Sequence, residues 1–583
     1  MKEGIHMEIT GAKLFIEALK KENVEIIFAY PGGYVIPLFD ELFDEPSIKL
    51  VLPRHEQALV HAADGYARST GKVGVCLVTS GPGVTNTITG LATANFDSVP
   101  LVCFTGQVPS HLIGNDAFQE ADAVGLTLSV TKHNFIVNDR RDLGRIIKEA
   151  FYIASTGRPG VVLVDLPVDI IKALGDDVYP ETVNIRGYNP NTREHPAQIK
   201  LAAEQLMKSK KPLFLIGGGM NISGASDIFK ELVEKTNIQV VSTLQGIGSI
   251  PTNHPMYIGM LGMHGIYAAN KAISECDLIF SIGCRFNDRI TGNLNKFASN
   301  AIIIHIDIDP ASISRDINVE IPIVGDAKAV IEEILPLVSK TSNDQWNLKI
   351  DNWKKDQPFI VVPSDTRISP MEVVQSINKT FPDAIITTDV GQHQMWTAQF
   401  GVFNKPRTFL TSGGFGTMGY GLPSAIGAQI GNRDKVVINI SGDGGIQMNI
   451  QELATAVQEE LPIIIAVFNN NYLGMVRQWQ GLFYNKRYSG TCLRRRISCP
   501  RECNKPGENC PVYTPDFVKL AEAYGAIGIR VSNKDEIITA LERAGNSKTV
   551  PVLIEFNIEH EYNVMPMVPA GASLTEMLLE GGI

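Results

Sequence analysis

Val436-Val437-Ile438-Asn439-Ile440-Ser441-Gly442-Asp443-Gly444 and, further on, Ile463-Ile464-Ile465-Ala466-Val467-Phe468-Asn469-Asn470-Asn471-Tyr472 decide how this chain is read. Each is an apolar β run, Val436–Ser441 and Ile463–Asn469, that stops at a polar tip of Gly, Asp or Asn. Branched side chains suit the pleated surface of a strand, and a run that is apolar nearly end to end belongs to a strand covered by helices on both faces. The same style recurs at Val73–Thr79, Val161–Asp165, Leu213–Ile216 and Ile302–Asp307, each followed by a turn and a stretch of helical pattern. Strand, turn, helix and strand in repetition predict parallel sheets with crossover helices, an α/β chain.

At 583 residues the chain exceeds what one hydrophobic core organises, and two aperiodic stretches divide it. The first, about 179–196, mixes Pro, Asn, Arg and Gly; the second, about 339–370, is polar and then Pro-containing. Three doubly wound domains are expected, at 7–178, 195–340 and 368–583. No short-period repeat is present, although the first and third domains share a strand, Gly turn and helix style that a distant duplication would leave.

The composition excludes several function classes. With 44% hydrophobic and 20% charged residues the chain is an ordinary globular protein. A net charge of -10 leaves no footprint for nucleic acid, and the one basic run, Arg494-Arg495-Arg496, is too short to supply one. Apolar runs are interrupted within about ten residues, far short of the roughly 20 that a membrane helix needs. Met1–Glu8 is charged and reads as neither signal peptide nor anchor, so a cytoplasmic location is expected. Cys76, Cys103, Cys276 and Cys284 lie singly in apolar stretches and read as buried thiols of a reducing compartment.

Between Gly442-Asp443-Gly444 and Asn469-Asn470 lie 24 residues, 445 to 468. This spacing resembles the thiamine diphosphate (ThDP) signature, in which two neighbouring strand ends jointly hold a diphosphate-bound Mg²⁺. The chemistry is sound, because Mg²⁺ takes hard oxygen ligands and shares its shell with phosphate oxygens, while glycines allow close approach of the backbone. The resemblance makes the Asp443 carboxylate, the Asn470 side-chain oxygen and the Tyr472 backbone carbonyl the metal ligands, with Gly442 and Gly444 at the diphosphate. The plain alternative is a strand, turn and helix with a capping Asp.

A second signal is Arg54-His55-Glu56-Gln57, between the strand Lys49–Leu52 and the helix Ala58–Ser69. In ThDP enzymes a glutamate placed there hydrogen-bonds N1′ of the aminopyrimidine and so promotes loss of the thiazolium C2 proton. The resemblance makes Glu56 catalytic, a role that burial in an apolar wall would serve by raising its pKa. The bland reading is an acidic residue favoured by the helix dipole. The Thr79-Ser80-Gly81-Pro82-Gly83 turn accompanies the motif.

Over nearly the whole chain, from Tyr30-Pro31-Gly32-Gly33 to Pro566-Met567-Val568-Pro569-Ala570-Gly571, the sequence is similar to the acetolactate synthase (acetohydroxyacid synthase) catalytic large subunits. Gly106-Gln107-Val108-Pro109, Asp116-Ala117-Phe118-Gln119-Glu120, Gly157-Arg158-Pro159-Gly160 and Leu261-Gly262-Met263-His264-Gly265 carry the resemblance. So do Arg285-Phe286-Asn287-Asp288-Arg289, Gly416-Thr417-Met418-Gly419-Tyr420-Gly421 and Gly474-Met475-Val476-Arg477-Gln478-Trp479, the last of which sets this family apart from other ThDP decarboxylases.

The resemblance implies pyrimidine-binding (PYR) and diphosphate-binding (PP) ThDP domains flanking a central Rossmann-like FAD-binding domain. Met418 would prop the cofactor into its bent shape, Gly33 and Gln119 would line the reaction centre, and Gln392 with His393 would contact the diphosphate. Trp479, Met475 and Arg289 would receive the second keto acid, Arg289 by a charge-assisted pair with its carboxylate. Core packing is the plain alternative for both Met418 and Trp479. In the middle domain Leu215-Ile216-Gly217-Gly218-Gly219 is by itself a weak dinucleotide fingerprint. The family binds FAD there, which implies roles for Arg158, Gly217, Gly218, Met263, His264, Arg285, Asp307 and Asp326.

The implied reaction is decarboxylation of pyruvate and condensation with a second pyruvate or 2-ketobutyrate. The implied assembly is a homodimer or homotetramer with active sites between subunits, and a separate regulatory small subunit is plausible. Rival readings are a pyruvate oxidase or simple decarboxylase, and a cofactor-binding paralogue without turnover; Trp479 and Arg289 oppose the first, and Glu56, Asp443 and Asn470 the second. Gly65 to Gly71-Lys72 is no phosphate loop: the spacing is one residue too long and Val73 stands where Mg²⁺ needs a hydroxyl.

Two departures from the family stand out. Val168 replaces a frequent Lys. An extra segment, 491–512, carries Cys492, Cys499, Cys503 and Cys510 as C-x₆-C-x₃-C-x₆-C. Zinc, an iron-sulfur cluster, free thiols and disulfides are all open there, with a metal favoured in a reducing compartment.

Overall fold

The computed structural model describes residues 8–190, 195–356, 368–500, 503, 510, 514–559 and 562–579. Among these residues it has three six-stranded parallel sheets and a small antiparallel pair, Ile9–Thr10 with Leu174–Gly175. The α/β expectation holds in all three domains.

In the first sheet the strands lie in the order Lys49–Val51, Ile26–Ala29, Gly74–Val78, Leu101–Gln107, Val161–Pro167, His133–Ile136. In the third the order is Phe409–Thr411, Ile385–Thr388, Val437–Gly442, Ile464–Asn469, Val552–Asn557, Ile527–Val531. Numbered along the chain within each domain, both sheets read 2-1-3-4-6-5, so the two domains share a topology as well as a style. The middle sheet, from Tyr257–Met260 through Val240–Ser242, Pro212–Ile216, Leu278–Ile282 and Ile302–Asp307 to Ile321–Val324, reads 3-2-1-4-5-6, the dinucleotide-binding order.

Burial follows the sequence pattern. The strands 74–78, 101–107, 161–167, 437–442 and 464–469 are buried at every residue, as a sheet covered on both faces requires. Cys76, Cys103, Cys276 and Cys284 are buried. One hydrophobic cluster runs through both outer domains, because the helix Glu56–Thr70 packs against Gly421–Gly431. The second stretch expected as a linker contains a helix, Asp344–Lys355, whose Trp346 and Ile350 lie buried in the middle-domain core, with Trp346 Nε1 donating to Pro212 O at 3.2 Å. Apolar residues one helical turn apart in an otherwise polar stretch carry that packing.

Candidate functional site

Parallel sheets bind ligands where the strand order reverses, at the carboxyl ends. In the third sheet that point lies between Ile385–Thr388 and Val437–Gly442. The first strand runs into Gln392 and His393 at the start of the helix Gln392–Phe400, and the second into Asp443. The next strand, Ile464–Asn469, delivers Asn470 and Tyr472 beside them, with Gly442 in register with Phe468. Gln392, His393, Gly442, Asp443, Asn470 and Tyr472 are all buried.

The polar atoms here are incompletely paired. Asp443 accepts from Gly444 N at 3.1 Å, while its Oδ2 is buried with no hydrogen-bond partner. Burial pushes its carboxyl up to about 7, against the pull of the neighbouring Asn471 and Gly444 N–H groups. Asn470 Oδ1 accepts from Tyr472 N at 3.0 Å, which leaves that oxygen a second lone pair. His393 Nε2 is also buried and unpartnered, and burial lowers its pKa to about 3. A Cβ on Gly442 would come within 2.9 Å of the His393 ring. A buried carboxylate oxygen without a partner, an amide oxygen with spare capacity and a glycine-lined approach fit a divalent ion that carries a diphosphate.

Met418 sits on the loop 413–421, near this point: a Cβ on Gly444 would lie 3.9 Å from Met418 Cε. Two aspartates that the sequence reading did not single out hold this loop. Asp389 accepts from Gly419 N at 3.0 and 2.9 Å, from Gly421 N at 3.1 Å and from Val390 N at 2.8 Å. Burial raises its pKa to about 6 while these N–H groups oppose. Asp97 accepts from Gly413 N at 3.1 Å and Gly414 N at 3.0 Å, and also takes Arg68 Nη2 at 3.0 Å and Gln245 Nε2 at 3.1 Å. Asp389 was findable, since Thr388-Asp389-Val390-Gly391 repeats the strand, Asp and Gly pattern of Ser441-Gly442-Asp443-Gly444. Asp97 carries no such signal.

A cavity of about 910 Å³ opens at the switch point of the middle sheet and runs on to the Met418 loop. Gly218, Arg285 and Asp307 line it at the strand ends, joined by Arg158, Met263, His264 and Asp326. Met418, Met475, Trp479 and Arg289 line it too, so the residues expected at the flavin and at the second keto acid share one space. Gly217 lies just behind this wall, where a Cβ would stand 2.1 Å from Gly283 O, so two strand-end backbones approach as only glycine allows. Arg158 pairs with Asp309 at 3.2 Å, and burial raises Asp307 to about 6. Trp479 is half-buried, edge-on to Phe483 at 5.5 Å, and Arg289 is exposed. The size and the mixture of glycines, cations and carboxylates fit a dinucleotide.

Glu56, Gly33 and Gln119 gather elsewhere, at the carboxyl edge of the first sheet. Glu56 opens the helix Glu56–Thr70, two residues earlier than expected, because the His55 side chain caps Gln57 N at 3.1 Å. Glu56 Oε2 accepts from Asn86 Nδ2 at 3.0 Å. Gln119 stands close to the Gly81 turn at a φ of 58°, and Tyr34, next to Gly33, donates to Phe118 O at 3.1 Å. The apolar wall expected around Glu56 is not closed among the described residues: Glu56 is half-buried, and neither it nor Asp443 lines the large cavity.

Comparison with known proteins bears on this arrangement. The family description "Thiamine pyrophosphate enzyme, N-terminal TPP binding domain" matches residues 9–126, the corresponding central domain 199–334, and the C-terminal TPP binding domain 389–556. The "Probable acetolactate synthase large subunit" of Methanococcus aeolicus is 47% identical over 98% of this chain and 95% of its own length. "Acetolactate synthase isozyme 3 large subunit" of Escherichia coli K12 is 44% identical over 98% of each. "Acetolactate synthase large subunit" of Corynebacterium glutamicum is 46% identical over 98% of this chain and 90% of its own. The chain belongs to the acetolactate synthase large-subunit family.

The start of the Cys-bearing segment is anchored at the loop after the strand Ile464–Asn469. Cys492 pairs with Tyr472 in an antiparallel bridge, with Leu473 N to Thr491 O at 2.9 Å and Leu493 N to Asn471 O at 3.0 Å. Arg477 lies between the rings of Tyr472 and Tyr488, at 4.7 and 4.6 Å from their centroids. Cys499 accepts from Arg496 N at 3.4 Å. Among the described residues no three His, Cys, Asp or Glu side chains are grouped to hold a metal, and much of the segment between Pro500 and Thr514 lies outside those residues. Among the described residues no helix is long and apolar enough to cross a membrane.

Proposed function

We propose that this chain is the catalytic subunit of an acetolactate synthase. It decarboxylates pyruvate and joins the two-carbon unit to a second pyruvate or to 2-ketobutyrate, giving 2-acetolactate or 2-aceto-2-hydroxybutyrate on the route to valine, leucine and isoleucine. The observation that carries this reading is the pair of neighbouring strand tips with the buried, unpartnered oxygen of Asp443. When bound, ThDP supplies the electron sink for decarboxylation.

The protein supplies position and proton handling. Asp443, Asn470 and the Tyr472 carbonyl would hold Mg²⁺, with Gln392, His393, Gly442 and Gly444 against the diphosphate. Met418 would prop the cofactor, and Glu56 would hold the proton shared with the aminopyrimidine nitrogen. Gly33 and Gln119 would close the reaction centre, while Trp479, Met475 and Arg289 receive the second keto acid. FAD would occupy the middle-domain end of the large cavity, on Gly217, Gly218, Arg158, Met263, His264, Arg285, Asp307 and Asp326. Condensing two keto acids needs no net redox change, so its role there would be structural or inherited from an oxidase ancestor.

Glu56 comes from the first domain and the metal loop from the third, which supports a site completed by a second copy, hence a homodimer or homotetramer working in the cytoplasm. The relatives' name "large subunit" supports a separate regulatory small subunit. The four thiols Cys492, Cys499, Cys503 and Cys510 would hold zinc or an iron-sulfur cluster as a clip beside the metal loop; metal analysis with an absorption spectrum of anaerobically purified protein tests this, and metal-free protein refutes it. The main test incubates the protein with pyruvate, Mg²⁺ and ThDP. Acetolactate is expected, and acetaldehyde or acetate in its place would make the chain a decarboxylase or an oxidase.

A further inference from the structure

We infer that Glu452 and Asp97 are reciprocal positioning residues: each reaches across the interface of the first and third domains and holds, by its backbone N–H groups, the turn that presents the other domain's candidate catalytic side chain. The inference rests on the reading of Glu56 and Met418 given above. Glu452 is fully buried on the helix Glu452–Gln458, and its carboxylate takes Arg54 N at 3.0 and 3.1 Å, two residues before Glu56. The His55 N–H faces the same carboxylate, and Thr455 Oγ1 donates to it at 2.7 Å. The Arg54 guanidinium makes its hydrogen bonds elsewhere, to Leu52 O at 2.6 Å and Gln458 Oε1 at 2.5 Å, and reaches Glu452 only through its charge. Glu452 thus acts on the turn by accepting its N–H groups.

Asp97 mirrors this arrangement with Gly413 N and Gly414 N, on the loop that leads into Met418. The two acids lie in the same crossover of the shared topology, Asp97 at the end of its helix and Glu452 at the start of its own. Each lies in the crossover after the third strand of its own sheet, Gly74–Val78 or Val437–Gly442, and each holds the loop after the second strand of the other, Phe409–Thr411 or Lys49–Val51. N–H groups ahead of a helix have no intrahelical partner, so whatever accepts them sets how the first turn leaves the loop. For Glu56 that acceptor comes from the other domain. The segment between Asp443 and Glu452 also reaches the Met418 loop, through Asn449 Nδ2 to Gly419 O at 2.7 Å. The Glu452 clamp therefore registers the proton-handling group against the third domain of its own chain, and the Asp97 clamp registers the loop of the cofactor prop against the first.

The test compares wild-type protein with Glu452→Ala and Glu452→Gln, each loaded with Mg²⁺ and ThDP. Two quantities are read: thermal stabilisation by the cofactor, and the rate at which the C2 proton of bound ThDP exchanges in D₂O, followed by NMR after acid quench. Misplacing a reacting group by about 1 Å costs up to roughly 100-fold. Glu452→Ala is therefore expected to slow exchange by about 10- to 100-fold while the half-saturating ThDP concentration moves less than about 3-fold. Glu452→Gln, which keeps one acceptor oxygen, should fall between. Asp97→Asn should slow exchange in the same way. Exchange at the wild-type rate in Glu452→Ala overturns the inference. So does parallel loss of exchange and cofactor stabilisation, or failure of both Glu452 variants to fold, since either outcome makes Glu452 a fold residue. Wild-type protein that neither exchanges nor is stabilised would instead sink the reading of the site itself.

Discussion

Glu56 carries one hydrogen bond to Asn86 and stands half-buried at the first turn of its helix, free to meet a ligand that the chain itself does not place there. A carboxylate that shares a proton with the aminopyrimidine nitrogen contributes about 10²- to 10⁴-fold to turnover, so Glu56→Gln should lose that much kcat. The proposed metal ligands belong to the third domain, so ThDP and Mg²⁺ should still raise its melting temperature; loss of both effects would place Glu56 in the fold and not in the chemistry. Asp165 makes a second, pH-dependent case. Its carboxylate takes Thr105 Oγ1 at 2.6 Å and Gln107 Nε2 at 2.9 Å, and Gln107 Nε2 also donates to Ala121 O at 2.7 Å, close to Gln119. Burial raises the Asp165 pKa to about 7, with the two hydrogen bonds opposing. The folded protein then keeps a proton that the unfolded chain releases near pH 4, so stability from this group is complete below about pH 4 and is lost as pH rises to 7. Wild-type melting temperature should fall more between pH 5 and pH 8 than that of Asp165→Asn, and parallel falls would refute the assignment. Asp443 and Asn470 were legible because their chemistry sits in local spacing at strand ends. Glu452 was not, since its partner Arg54 is 398 residues away.

The helices Glu56–Thr70 and Gly421–Gly431 meet with almost no space between their backbones. A Cβ on Gly427 would lie 1.8 Å from Ala62 O, and one on Gly65 2.1 Å from Ser424 O. In an isolated helix Gly→Ala is stabilising by about 1 kcal/mol. Here the new methyl group meets backbone that cannot turn aside, and overpacking of this kind costs about 1–3 kcal/mol. Gly427→Ala should therefore lower the denaturant midpoint despite its better helix propensity; a raised midpoint would mean that the helices can slide apart freely. This contact was not legible in the sequence, because small residues on buried helices have no period of their own to announce a partner. The strands were legible, since unbroken Val and Ile runs have few alternatives, with ends displaced by no more than two residues, as at Val161–Pro167. The helix Asp344–Lys355 escaped notice because its mean composition is polar and its buried face is narrow, chiefly Trp346 and Ile350.

For the whole molecule, the decisive fact is that the first and third domains share one strand order and pack on each other within the chain, yet neither Glu56 of the first nor Asp443 of the third lines the large cavity. A two-fold assembly resolves this if the first-domain edge of one copy faces the third-domain edge of another, because an isologous pair then builds two equal sites. The arrangement makes a quantitative prediction about mixed assemblies. Glu56→Gln and Asp443→Ala should each be inactive as purified proteins. After unfolding and refolding as an equal mixture, half the dimers contain one chain of each kind, and each of those has one site with both wild-type residues and one site with neither. Activity should then return to about a quarter of wild type under random pairing. If Glu56 and Asp443 served a site inside one chain, every site in every mixed dimer would keep one defect and activity would stay absent. The measurement is acetolactate formation by the refolded mixture against each variant refolded by itself, with wild-type protein taken through the same cycle to fix the recoverable maximum.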